Sequence, residues 1–257
     1  MKRAAILAAG SLLTVGLATT GAWAAHNAAL PAYIAAAISD SARPATDTDR
    51  DANRKPGATL EFAGVKPGEQ VIELVPGRGY YTRLLSAVVG PKGKVYAIAP
   101  PPRPNAAPDA PPPAAPVQAI AADPHYGNVT VIVGRVTELK PPEGVDVVWT
   151  SQNYHDFHNI PNVDVATINR TMFQALKPGG VYLVLDHSAA AGSGTSDTNT
   201  LHRIDEDTVK QEVEAVGFKF VGESDLLRNK ADPRTAKVFD PSIQGHTDQF
   251  ILKFTKP

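Results

Sequence analysis

Short apolar runs alternating with helix-patterned stretches constrain this chain more than any other feature. Val71–Val75, Lys94–Ala99, Val129–Val133, Val145–Thr150 and Val181–Asp186 read as strands. Between the first two, Tyr80, Leu84, Leu85 and Val88 recur at helical spacing. Val163–Leu176 and Asp205–Val216 read as further helices, the second with Asp205, Glu206 and Asp207 where a helix dipole favours acids. Turns punctuate the pattern at Lys66-Pro67-Gly68, Gly90-Pro91-Lys92-Gly93 and Lys177-Pro178-Gly179-Gly180. Strands that are apolar on both sides belong in a parallel sheet covered on both faces. The expected architecture is α/β: a doubly wound, Rossmann-like, mostly parallel sheet of seven strands with helices on both faces. Phe218–Val221 and Gln249–Phe254 form its closing pair, with one strand antiparallel. Ligands in such sheets bind beyond the carboxyl ends of the strands, where the strand order reverses.

The expected organisation is a leader, a wrapping segment and one domain. Residues 1–24 carry Lys2 and Arg3, an apolar run and Ala22-Trp23-Ala24, the pattern of a cleaved secretory signal. The run is shorter than the roughly 20 residues a membrane span needs. A periplasmic or secreted destination follows, with no stable membrane insertion after cleavage. Residues 25–66 read as an N-terminal helical and wrapping segment, and 67–257 as the main domain. Within it, 100–118 form a Pro-rich insertion, with nine prolines in the 17 positions 100–116. A formal charge of −1 gives no basic surface for nucleic acid, so a small molecule is the expected partner. The chain has no cysteine, which excludes disulfides, thiolate metal sites and a cysteine nucleophile.

VIELVPGRGYYTRLLS spans the first strand, its loop and the next helix. Gly77 and Gly79 let backbone approach a ligand, and the helix that follows begins with free N–H groups. This string resembles motif I of the class I S-adenosylmethionine-dependent methyltransferases. GPKGKVYAIAP and LKPGGVYLVLDH resemble that superfamily's second strand and its approach to strand five. PGRGYYTRLL, NYHDFHN, LHRIDE, GFKFVGESDLLRN and DQFILKF together resemble a family of exported bacterial predicted methyltransferases. The resemblance implies S-adenosyl-L-methionine as cofactor, with Glu73, Gly77, Gly79 and Tyr81 at its site. For Tyr81, packing beneath the loop is the alternative. Three positions depart from the superfamily pattern. Val75 stands where the first glycine is usual, Ala99 where an acid grips the ribose, and Gly134-Arg135 where an acid sits near the adenine. Asp123 and Glu138 are the candidate substitutes.

The chemistry is expected from histidines. NYHDFHN follows strand four and Asp186-His187 ends strand five, so both face one cleft in this fold. His155 supported by Asp156 is the candidate general base, with His187 second. Ordering of the cleft by the same side chains is the competing reading. His155-x-x-His158 with Asp186 and His187 offers metal-ligand types, but the spacing matches no metalloenzyme motif and no metal ligand is assigned. His202 and Arg203 follow a Gly/Ser-rich stretch expected to close over the cleft. Arg83 reads as a solvated helix face and 222–241 as a surface excursion. The leading functional expectation is methyl transfer to a small acceptor. A non-catalytic binding protein on the same fold and a metal-dependent hydrolase built on the histidines are the alternatives.

Overall fold

A computed structural model describes residues 29–102, 106–107, 109–138 and 140–257, so the signal-like segment 1–24 lies outside the described residues. Seven strands form one sheet among them: β1 (Gln70–Leu74), β2 (Lys94–Ala99), β3 (Val129–Val133), β4 (Val145–Ser151), β5 (Leu176–His187), β6 (Lys219–Ser224) and β7 (Gln249–Thr255). Their spatial order is β3-β2-β1-β4-β5-β7-β6. β1 pairs parallel with both β2 and β4, and only β7 runs antiparallel to its neighbours β5 and β6. The chain builds outward from β1 through β2 to β3, then returns to lay β4 on the other side of β1. The reversal point is therefore the β1/β4 crevice.

Alternation along the strands sends successive side chains to opposite faces. Val71, Val147, Leu183 and Ile251 enter one core, and Ile72, Val148, Val184 and Leu252 the other. The first face is covered by α1 (Ala32–Ile38), α4 (Pro56–Ala63), α5 (Tyr80–Val89) and α6 (Ala115–Ala122). α7 (Tyr154–Phe157), α8 (Val165–Ala175) and α9 (Glu206–Glu214) cover the second. Helix α5 owes its place to Leu84 and Leu85, both with no exposure. Full burial of one such side chain stabilises the fold by about 1.5–3 kcal/mol.

Two expectations change, those for Arg83 and for residues 222–241. The polar stretch 43–57 folds into two short helices, α2 (Ala45–Thr48) and α3 (Asp51–Arg54), and the start of α4. Ion pairs hold it: Arg43 is bidentate with Asp51 at 2.8 and 2.6 Å, and Arg83 meets Asp47 at 2.9 Å. Arg83 is thus an anchor rather than a solvated residue. The Pro-rich insertion ends in α6, because Pro116 sits in the first turn, where a missing N–H costs nothing. The 222–241 excursion is partly internal. Asp232 there is buried and forms a two-point ion pair with Arg203, at 2.8 and 3.2 Å.

Candidate active site

Two polar constellations sit side by side on the carboxyl edge of the sheet. The first lies in the β1/β4 crevice. A cavity of about 220 Å³ is lined by the β1–α5 loop, by Ser151 at the end of β4 with Gln152 and Asn153 after it, and by Arg50 and Arg54 from the α2–α3 region. Glu73 reaches it from β1, buried at 3% exposure. Burial drives the Glu73 carboxyl up to about 7, against the Thr82 hydroxyl donating at 2.5 Å and the nearby Arg54 cation. The loop above is held in left-handed backbone: Val75 at φ 50°, Gly77 at 59° and Gly79 at 80°. Val75, where the methyltransferase pattern has glycine, adopts the glycine-like conformation at a cost in strain.

The two glycines do different work. A Cβ on Gly77 would meet no atom within 4 Å, so its surroundings leave room for a ligand. A Cβ on Gly79 would come within 2.1 Å of the tip of Ile120 and 3.5 Å of Val117. Gly79 is small because α6 packs on it. Tyr81 is a buried wall of the cavity, its ring 4.7 Å from that of Trp149.

Arg54 is a cavity residue that sequence reasoning missed. Its guanidinium lies over Tyr80, 4.6 Å from the ring centroid, and donates to Gln152 at 2.5 Å. The only signal in the sequence is Arg50 and Arg54 spaced four apart in a polar stretch. Ala99 is buried at the end of β2. Neither candidate substitute for the ribose acid reaches the cavity. Asp123 caps a 3-10 turn by accepting from the His125 N–H, and Glu138 faces Arg135 on the surface. A larger hollow of about 780 Å³ lies at the opposite edge, beside the amino ends of β2 and β3, and contains none of the expected site residues.

The second constellation lies at the ends of β4 and β5. Asp186 is fully buried. It accepts from His155 Nδ1 at 2.8 Å and from the backbone N–H groups of His155 and His187, both at 2.8 Å. Burial alone would raise its pKa; the His155 charge and these donors hold it below the usual range. Burial works against charge on His155, yet Asp186, then Asp156, leave that imidazole raised above its ordinary value. The acid that orients His155 is therefore Asp186 of β5 rather than its chain neighbour. Asp156 lies at the other nitrogen, 3.4 Å from Nε2, half exposed.

His187 is drawn down to about 4 by burial, against the pull of Asp186 and helped by the cations His155 and Arg203. Its Nδ1 lies 2.8 Å from Thr247 Oγ1. His158 is elsewhere, at 3.2 Å from Glu212. His202, which the sequence placed only as following a closing loop, joins the cluster: its ring packs on His155 with centroids 5.5 Å apart. The loop before it is fastened, not loose. Asn159 and Thr198 exchange hydrogen bonds, Gly192 donates to Asp205, and Arg203 is locked on Asp232. The two constellations are joined through side chains: Arg54 to Gln152, Gln152 to Gln249 at 3.0 Å, Gln249 to Thr247 at 3.3 Å, and Thr247 to His187.

Known proteins similar to this chain share that frame. A structure of an S-adenosylmethionine-dependent methyltransferase from Aquifex aeolicus superposes with TM-score 0.56 at 17% identity, covering 81% of this chain and 99% of the other. The [4+2]-cyclase SpnF gives 0.59 at 15% identity over 85% and 84%. Fibrillarin from Aeropyrum pernix, solved with S-adenosylmethionine natively bound, gives 0.50 at 17% identity over 80% and 76%. This chain has the class I methyltransferase fold. In sequence it is 28% identical over 213 residues to the ubiquinone/menaquinone biosynthesis C-methyltransferase UbiE of Vibrio vulnificus. That alignment covers 76% of this chain and 65% of the relative, so the chain spans just under two thirds of the curated relative's length. No protein-family profile matches. The presence of a cyclase among the structural relatives shows that the frame alone does not set the reaction.

Proposed function

We propose that the protein transfers a methyl group from S-adenosylmethionine to a small-molecule acceptor. The observation that carries this reading is the buried Glu73 reaching, beneath an open Gly77, into a cavity at the strand-order reversal. Glu73 suits the cationic amino end of the donor, since an ammonium beside it favours the ionised carboxylate. The Arg54 guanidinium suits the donor's carboxylate. Neither the Ala99 nor the Gly134 position supplies the usual acid for the nucleoside, so more of the grip falls on Glu73, Arg54 and loop backbone. The donor, when bound, supplies a methyl on a sulfonium, and the acceptor lone pair displaces the sulfur directly.

The chain's own residues then have three tasks. The β1–α5 loop and the α2–α3 region hold the donor in a sheltered crevice, where water is excluded and charges act strongly. The His155 cluster, at the next pair of strand ends, faces the acceptor. Phe239, 59% exposed with its ring 4.9 Å from His202, offers the acceptor an apolar face. A near-neutral chain favours a small acceptor over nucleic acid. The segment 1–24 supports export to the periplasm or beyond.

Calorimetry with S-adenosylmethionine and S-adenosylhomocysteine tests the reading. Saturable binding is expected, weakened in Gly77→Val and Arg54→Met. No binding at millimolar concentration, a free energy short of about 4 kcal/mol, overturns it.

A further inference from the structure

We infer that His155, Asp156 and His202 form a binding site for one divalent transition-metal ion of the Zn²⁺ class. One ligand atom from each residue lies within 4.8 Å of the other two. Asp156 Oδ1 stands 3.4 Å from His155 Nε2 and 3.7 Å from His202 Nδ1. Good hydrogen bonds between such groups run at about 2.7–3.2 Å, so these contacts are too long for that purpose. The 3.4 Å separation matches a different geometry. Two ligands bound at about 2.0–2.1 Å to a tetrahedral centre are about 3.4 Å apart.

The surroundings are built for the same role. Metal-binding imidazoles generally donate their other N–H to a carboxylate, which fixes the ring and raises its basicity. His155 does this to Asp186, itself fixed by two backbone N–H groups. His202 is held in left-handed backbone at φ 57°. Its neighbours are tied down on both sides: Leu201 O accepts from the Val238 N–H, and Arg203 is paired with buried Asp232. Strain of this kind persists only where the surroundings over-determine it, and it collects at functional positions. Side-chain exposure rises from 3% at His155 to 31% at His202 and 48% at Asp156, so one side of the trio faces outward. Two imidazoles and one carboxylate are the donor set of metal sites that keep coordination positions open. The histidine pair suggested by sequence spacing is not the one that converges, because His158 is turned to Glu212.

The site stands whether or not the protein transfers methyl groups. If the methyl-transfer reading holds too, and this step rests on it, the open position is where an oxygen or nitrogen of the acceptor binds. The test uses untagged full-length protein stripped with chelator and titrated with zinc chloride. Cobalt serves as a visible probe of coordination. One equivalent of zinc is expected, with cobalt bands of a four- or five-coordinate ion. His202→Asn tolerates the left-handed backbone but cannot replace the imidazole, and Asp156→Asn removes the charge. Each should weaken zinc binding by about tenfold or more, while His158→Ala leaves it unchanged. Absence of saturable zinc binding, wild-type affinity in His202→Asn, or an equal loss in His158→Ala overturns the site. S-adenosylmethionine binding measured on the His202→Asn protein is expected to be retained, which separates failure of this site from failure of the donor cavity.

Discussion

Two fully buried carboxylates stand at neighbouring regions of the same sheet edge, and their environments drive them in opposite directions. Glu73, in the β1/β4 crevice, is pushed up to about 7. Asp186, at the end of β5, is held below its ordinary value of 3.8. Both lose hydration. The difference is what replaces it. Glu73 has one hydroxyl donor and a guanidinium nearby. Asp186 has two backbone N–H groups and an imidazole that shares its charge. Burial sets a penalty on charge, and the count and kind of donors decide whether the charge survives it. Asp186 is therefore a completed anchor, whereas Glu73 is a carboxyl with capacity left for a cationic partner.

The sharpest way to break this contrast is to remove the anchor. Asp186→Ala strips a buried partner from His155 and should cost about 3–5 kcal/mol in urea unfolding at neutral pH. That cost should fade in acid. A carboxylate with a lowered folded pKa contributes stability above its unfolded value, and loses it as pH falls.

Glu73 has the opposite sign. Its raised folded value means that stability is greatest when it is protonated and declines as pH rises from about 4.5 to about 7, by roughly 3 kcal/mol in total. Glu73→Gln should therefore match the wild type in acid and exceed it by about that amount near pH 8. Equal pH slopes for the two proteins would refute the shift. Donor binding is expected to tighten over the same interval, as Glu73 ionises beside an ammonium group.

Smaller effects separate the loop glycines. Gly79→Ala and Gly77→Ala each carry about 1–2 kcal/mol of left-handed strain. Only Gly79→Ala also strikes Ile120, so only there should Ile120→Val restore part of the lost melting temperature. Donor affinity should fall more in Gly77→Ala. The smallest change expected is in Thr82→Val, about 1 kcal/mol at alkaline pH, where Glu73 leans on that hydroxyl.

The two constellations also differed in how much of them could be read from the chain. Glu73, Val75, Gly77, Gly79 and Tyr81 lie in one short stretch from strand to helix, so local pattern and spacing placed them together. The histidine cluster comes from three separate segments, around 155, 186 and 202. Spacing along the chain suggested His155 with Asp156 and His158. Folding turned His158 to Glu212, gave the orienting role to Asp186 on the adjacent strand, and brought in His202 across the fastened loop. Arg54 escaped notice for the same reason. It is an arginine in a polar stretch until α3 lays it over Tyr80.

By itself, the sequence determined the architecture. Short, nearly all-apolar runs, helical repeats between them and Gly/Pro turns leave a mostly parallel sheet as the arrangement that buries both strand faces. It also determined the β1–α5 loop, because left-handed turns and close packing favour glycine at Gly77 and Gly79. Only the tertiary structure decided partners. Which carboxylate meets which imidazole, and which buried acid keeps its charge, depends on contacts between residues tens of positions apart. Charge and hydrogen bonding act over a few ångströms in space and are indifferent to distance along the chain.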